Sequence, residues 1–225
     1  MLYGAFVLPE SLPVARRGRF SWASANPVGS IGLLRSRAGL PTLAAIQFLY
    51  VLAHYVLPSV FVLYGAYRYH WQPRTAGLVL AVVGVCTAIV QGGLIAPIVK
   101  RLGEQRALVA GLAAGAASFA LYGFAPTGAW FLAGIPFGAF MGLYSPASQA
   151  LMTRLVDPSE QGRLQGANSS LMGIAGLIAP LLYNGVLAAV IATPRSVTGA
   201  PFYVAALLLL TALVLRAAVP DPKAA

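Results

Sequence analysis

Charge is scarce in this chain. Only 9% of its 225 residues are Asp, Glu, Lys or Arg, where a soluble domain carries about 25%. The few charges are also one-sided, with five acids against fifteen Lys and Arg. Cysteine is nearly absent. Cys86 stands alone inside an apolar run, which rules out a disulfide framework and leaves no partner for a redox pair. With two histidines, five acids and that one cysteine, neither a metal-ligand spacing nor a nucleophile–base spacing can be found. An enzyme, a metal centre and a bound cofactor are therefore not expected.

What the chain has in excess is apolar length. Hydrophobic residues make up 59% and the mean hydropathy is +0.78, the signature of an all-α protein that crosses a lipid bilayer several times. The net charge of +10 does not indicate nucleic acid, because the basic residues lie between apolar runs and form no aromatic-interleaved patch. Six spans are expected at 40–66, 74–99, 105–125, 128–152, 162–192 and 200–217, each near the ~20 residues a hydrocarbon core requires. The fifth exceeds that need, so part of it should tilt or protrude. Residues 1–8, MLYGAFVL, are too short to span and lack the flanks of a signal peptide, so they read as the end of a helix whose beginning is missing. Residues 9–39 form a polar connection with five arginines, and 218–225 a short tail. Aromatic and aliphatic residues among those arginines fit either short segments lying on an anionic membrane surface or a solvated linker. Twelve of the fifteen basic residues fall on one side of the six-span arrangement, leaving Arg68, Arg74 and Arg195 on the other. That bias predicts a multi-pass protein with both ends cytoplasmic.

Polar residues inside the spans are unevenly placed. Gln47, Tyr50, His54, Pro58 and Phe61 share a face of the first span. Gly77, Gly84, Thr87 and Gln91 do so in the second, and Gly134, Gly138, Gly142, Ser145 and Gln149 in the fourth. In the fifth, Gly162, Gly166, Ser169, Ser170, Gly173, Gly176, Pro180 and Asn184 fall in a stripe about 120° wide. That stripe suits close approach by a neighbouring helix, or direct contact with a solute. The third and sixth spans have little comparable and suit scaffolding. Four spans are thus expected to line a cavity, with Gln47, Tyr50, His54, Gln91, Ser145, Gln149 and Asn184 as its polar residues. His54 fits two roles, proton handling or a neutral interhelical hydrogen bond. No Asp or Glu lies within a span, so a proton-coupling acid would have to be elsewhere.

Several segments carry a family resemblance: FVLPESLP with the arginine-rich stretch after it, AHYVLPSVFVLYGAYRY (53–69), APIVKRLGEQRAL (96–108), SPASQALMTRLVDPSEQGRLQGANSSL (145–171) and IAGLIAP (174–180). Together they resemble the carboxy-terminal half of a major facilitator superfamily drug/proton antiporter of the tetracycline-efflux type. The resemblance implies a six-helix bundle forming one half of that fold, in the inner (plasma) membrane. It also implies export of tetracycline-like or other amphipathic drugs in exchange for protons. Arg101, Gly103 and Arg106 match a second copy of the family's signature loop. Lys100 stands there in place of Asp, and Glu104 and Gln105 in place of basic residues, which leaves the resemblance silent on a gating ion pair at that loop. Arg154, Glu160 and Arg163 would brace the cytoplasmic gate. The family's other half and its coupling acids are not in this sequence, so transport would need an amino-terminal half or another chain. A non-transporting membrane fragment or interaction partner, and a carrier for a different solute, are the alternatives.

Overall fold

The computed structural model describes residues 32–193 and 197–217. Most of the long amino-terminal connection, the first eight residues and the tail lie outside the described residues. Every regular element described is helical, and six stretches are long and apolar enough to cross a membrane: Leu40–Tyr69, Pro73–Leu102, Glu104–Phe124, Gly128–Thr153, Pro158–Ala192 and Ala200–Ala217. They match the six expected spans. The fifth contains a helix of 32 residues, Gln161–Ala192, about 48 Å at 1.5 Å per residue. It therefore overshoots a hydrocarbon core of about 30 Å.

Local chemistry sets where the helices start and stop. Prolines at the first turn open the first, second and fifth spans, at Pro41, Pro73 and Pro158, where a missing N–H costs nothing. Gly103 turns the chain between the second and third spans at φ 77°, a conformation that glycine adopts freely. Asp157 and Glu160 form a reciprocal capping box before the fifth helix.

Three spans are interrupted near their middles. The first breaks at Tyr55, between helices Leu40–His54 and Val56–Tyr69. The second loosens into a π turn at Val90–Leu94, and the fourth tightens into a 3-10 turn at Met141–Leu143. A proline follows each interruption. Pro58, Pro97 and Pro146 have no N–H to donate to the carbonyls four residues earlier, those of His54, Gly93 and Gly142.

The third span is the scaffold. Half of its apolar window is buried in the bundle, against 17% for the second span and 28% for the fifth. Glycines make that burial possible. A Cβ on Gly111 would sit 2.6 Å from the backbone nitrogen of Tyr144, and one on Gly115 would meet Leu209 and Met141. The third span thus meets the backbone of the fourth at Gly111, and at Gly115 it takes side chains of the fourth and sixth directly against its own backbone. The fifth-span stripe behaves differently. Gly173 has nothing within 4 Å and Gly176 meets only the ring of Tyr55 at 3.8 Å, while Pro180 is exposed. Within this chain close approach is seen on the third and fourth spans, as at Gly111, Gly115 and Gly134, while Gly173 leaves its side of the fifth span open.

The end opposite the basic loops is closed by aromatics. Phe131 stacks on Tyr122 at 4.1 Å, Tyr64 meets Phe202 edge-on at 4.9 Å, and the Trp71 ring lies over Gly65 and Gly128. The Tyr69 hydroxyl donates to the Ala125 carbonyl at 2.9 Å. This cluster ties the first, third, fourth and sixth spans together at one level.

Candidate functional site

The three interruptions fall at one depth, and there the spans part to form two adjoining open grooves. Tyr50 and His54 from the first span, Thr87 and Gln91 from the second, and Gly138 and Gly142 from the fourth line one groove, with an open volume of ≈ 300 Å³. Tyr50, Gln91, Ile95, Gly142, Ser145 and Pro146 line the other, with an open volume of ≈ 750 Å³. Gly142 forms their shared floor: a Cβ there would lie 3.1 Å from Ile95 and 3.4 Å from the Gln91 amide nitrogen. The walls offer hydroxyls, an amide and an imidazole but no carboxylate. This surface suits a neutral or weakly charged polar solute with apolar parts.

Tyr50 belongs to both grooves and is held from behind. Its ring stacks on Tyr144 with centroids 3.8 Å apart and planes inclined by 19°. Tyr144 is fully buried, and its hydroxyl donates to Gln47 Oε1 at 3.0 Å. Ser148 donates to the Tyr144 oxygen at 3.2 Å and to Gln47 at 3.4 Å. The first and fourth spans are thereby joined by a buried hydroxyl network beside the grooves.

Of the polar residues expected in the cavity, Tyr50, His54, Gln91 and Ser145 line the grooves. Gln47 instead anchors Tyr144. Gln149 lies one turn beyond Ser145, donating to the Thr153 hydroxyl at 3.4 Å, and lines neither groove. Asn184 lines neither as well, because its span packs on the outer side of the first, where the Tyr183 hydroxyl donates to the Leu52 carbonyl at 3.0 Å. The expected set of four lining spans is thus reduced to three in this chain. Tyr144 and Ser148 were not foreseen from the sequence, and Gly142 was placed on the lining face without being singled out as a site residue. The proline at 146 was their available signal, since it marks the carbonyl of Gly142 as lacking its helical donor.

At the basic end, the charged loops are paired. Arg154 at the end of the fourth span reaches Glu104 at the start of the third, 2.6 Å away. The decayed signature loop thus does hold an ion pair, formed by the acid that replaces a basic residue. Arg163 lies 3.8 Å from Glu160, while Arg101 and Arg106 are exposed. Arg37 bonds both Asp157 and Glu160. Next to it Leu33 and Leu34 are buried at 2% and 4% exposure, so within the 9–39 connection Leu33 and Leu34 are packed on the bundle, while residues 35–38 after them are exposed. Reversing the charge in Arg37→Glu is expected to expose this stretch to protease, and Arg37→Glu combined with Asp157→Arg to restore protection. Limited proteolysis of opened membrane vesicles, in which both faces are accessible, checks both.

The Major Facilitator Superfamily profile matches residues 43–225. Tetracycline resistance protein, class C, of Escherichia coli is 32% identical over 210 residues, which are 92% of this chain and 53% of that protein. The class G protein of Vibrio anguillarum is 35% identical over 151 residues, 67% of this chain and 38% of that one. The chain therefore spans about half the length of the first of these curated relatives and less of the second. The crystal structure of the human organic anion transporter MFSD10 (TETRAN) superposes with a TM-score of 0.77 at 20% identity, covering 92% of this chain and 52% of that one. Six apolar helices, a six-span likeness to half of a solved transporter and a profile match over most of its length agree: this multi-pass membrane protein belongs to the Major Facilitator Superfamily.

Proposed function

We propose that the chain supplies one half of a proton-coupled exporter of tetracycline-like or other amphipathic drugs, working in the inner (plasma) membrane with both ends cytoplasmic. The observation that carries this reading is the pair of grooves at the depth where three spans lose their regular helix. Broken helices near the bilayer midplane free backbone groups for a ligand and are the usual place for a carrier's binding site. Neither groove is closed by this chain, and the second and fifth spans leave most of their apolar length uncovered. Both facts fit a cavity completed by a second six-helix half, in the same polypeptide or another. His54 is the titratable imidazole in the groove wall and the candidate for proton exchange here. Gln149 and Asn184 would join the cavity only where the second half extends it, and Arg101, Gly103, Arg106, Arg154, Glu160 and Arg163 would shape the cytoplasmic gate. A carrier for a different small solute is the second reading, favoured by a groove lining that holds no carboxylate to select a cationic drug.

Export of tetracycline from cells carrying both halves tests the proposal. Gln91→Ala is expected to raise KM several-fold with the amount of protein in the membrane unchanged, and Gln149→Ala to have the smaller effect. Unaltered export by Gln91→Ala, or equal losses in the two variants, would place the solute outside the grooves.

A further inference from the structure

Tyr50 is the one aromatic side chain shared by both grooves, and its own helix gives its ring only a loose contact. On its own helix only His54, one turn along, meets the ring, in an offset stack at 6.0 Å between centroids; the Tyr144 contact is far closer. The contact that does fix it comes from the fourth span, where Tyr144 covers one face at 3.8 Å. Tyr144 is itself held on three sides. Its hydroxyl is engaged by Gln47 and Ser148, its side chain is fully buried, and its backbone lies against Gly111, where even a methyl group would come within 2.6 Å. A ring clamped this way has no alternative rotamer to move into, so it acts as a template for the ring stacked on it.

We propose that Tyr144 is a positioning residue that sets the orientation of Tyr50 in the groove wall, and with it the shape the solute meets. This rests on the reading of the grooves as the solute path, but its test does not. The chain is labelled with 3-fluorotyrosine in lipid nanodiscs, and the Tyr50 fluorine signal is assigned by its loss in Tyr50→Phe. In the parent the Tyr50 signal should be single and displaced by the ring current of its stacked neighbour. Tyr144→Phe keeps the flat face and should keep that position. Tyr144→Leu removes the face: the signal should move toward that of exposed Tyr67 and at least double in width, while the signals of Tyr64 and Tyr183 stay where they are. Tyr144→Met, longer and more adaptable than leucine and equally without a flat face, should give the same result and serves where Tyr144→Leu does not accumulate. A Tyr50 signal equally narrow and unmoved in either variant would overturn the proposal, as would simultaneous movement of Tyr64 and Tyr183, which would mean the whole bundle had loosened.

Discussion

Gly111→Ala is expected to destabilise the bundle by about 3 kcal/mol, the upper part of the range for overpacking a well-packed interior. The added methyl would stand 2.6 Å from the Tyr144 backbone nitrogen and 3.1 Å from its Cα. Backbone atoms on a neighbouring helix cannot rotate aside, so the third and fourth spans would have to separate along their contact. The same substitution at Gly173 is expected to change stability by less than about 0.5 kcal/mol, as for a site that touches nothing, because no atom lies within 4 Å of it in this chain. Unfolding of the two variants in mixed micelles measures the difference. Equal stability would mean that the third span is not the element the bundle packs around.

Gly142→Leu is expected to lower export on the order of tenfold, equivalent to about 1.4 kcal/mol of lost binding or transition-state stabilisation. Gly142 floors both grooves, and a side chain there would project into the space between Ile95 and Gln91. Because those neighbours are side chains and not backbone, the variant should still fold and reach the membrane, which separates this effect from that of Gly111. Val214→Leu is the matching control, at a position 69% exposed on the sixth span. Export by cells carrying the complete carrier, normalised to the amount of protein in the membrane, gives both numbers.

These two glycines also show what the sequence could and could not reveal. Hydropathy placed all six spans, since an apolar run of bilayer length has only one way to satisfy its backbone in lipid. Helical periodicity put Tyr50 with His54, and Gly142 with Ser145, on the right faces, because that depends only on 3.6 residues per turn. Periodicity cannot say which face meets which neighbour, however. The fifth-span stripe suited either a neighbouring helix or a solute and is open at Gly173 in this chain, whereas the third span packs closely at Gly111 and Gly115. Pairings across the bundle were equally hidden. Tyr144 with Gln47, and Arg154 with Glu104, join residues 97 and 50 positions apart, and no local pattern encodes such a distance. Proline spacing was the unused clue: counting four residues back from Pro58 and Pro146 reaches His54 and Gly142, both in the groove wall.

On the proposed reading the first, second and fourth spans line one side of a water-accessible path, while the sixth faces lipid. Cysteine accessibility tests it most directly. With Cys86 replaced by serine, single cysteines are introduced at Gln91 and Ser145 in the grooves, and at Leu207 and Val214, which are 63% and 69% exposed on the sixth span. A membrane-impermeant maleimide applied to membranes holding the complete carrier should label positions 91 and 145 and leave 207 and 214 unlabelled, with bound drug slowing the reaction at the first pair. Labelling at 207 as fast as at 91, or an inert thiol at both groove positions, would contradict the account.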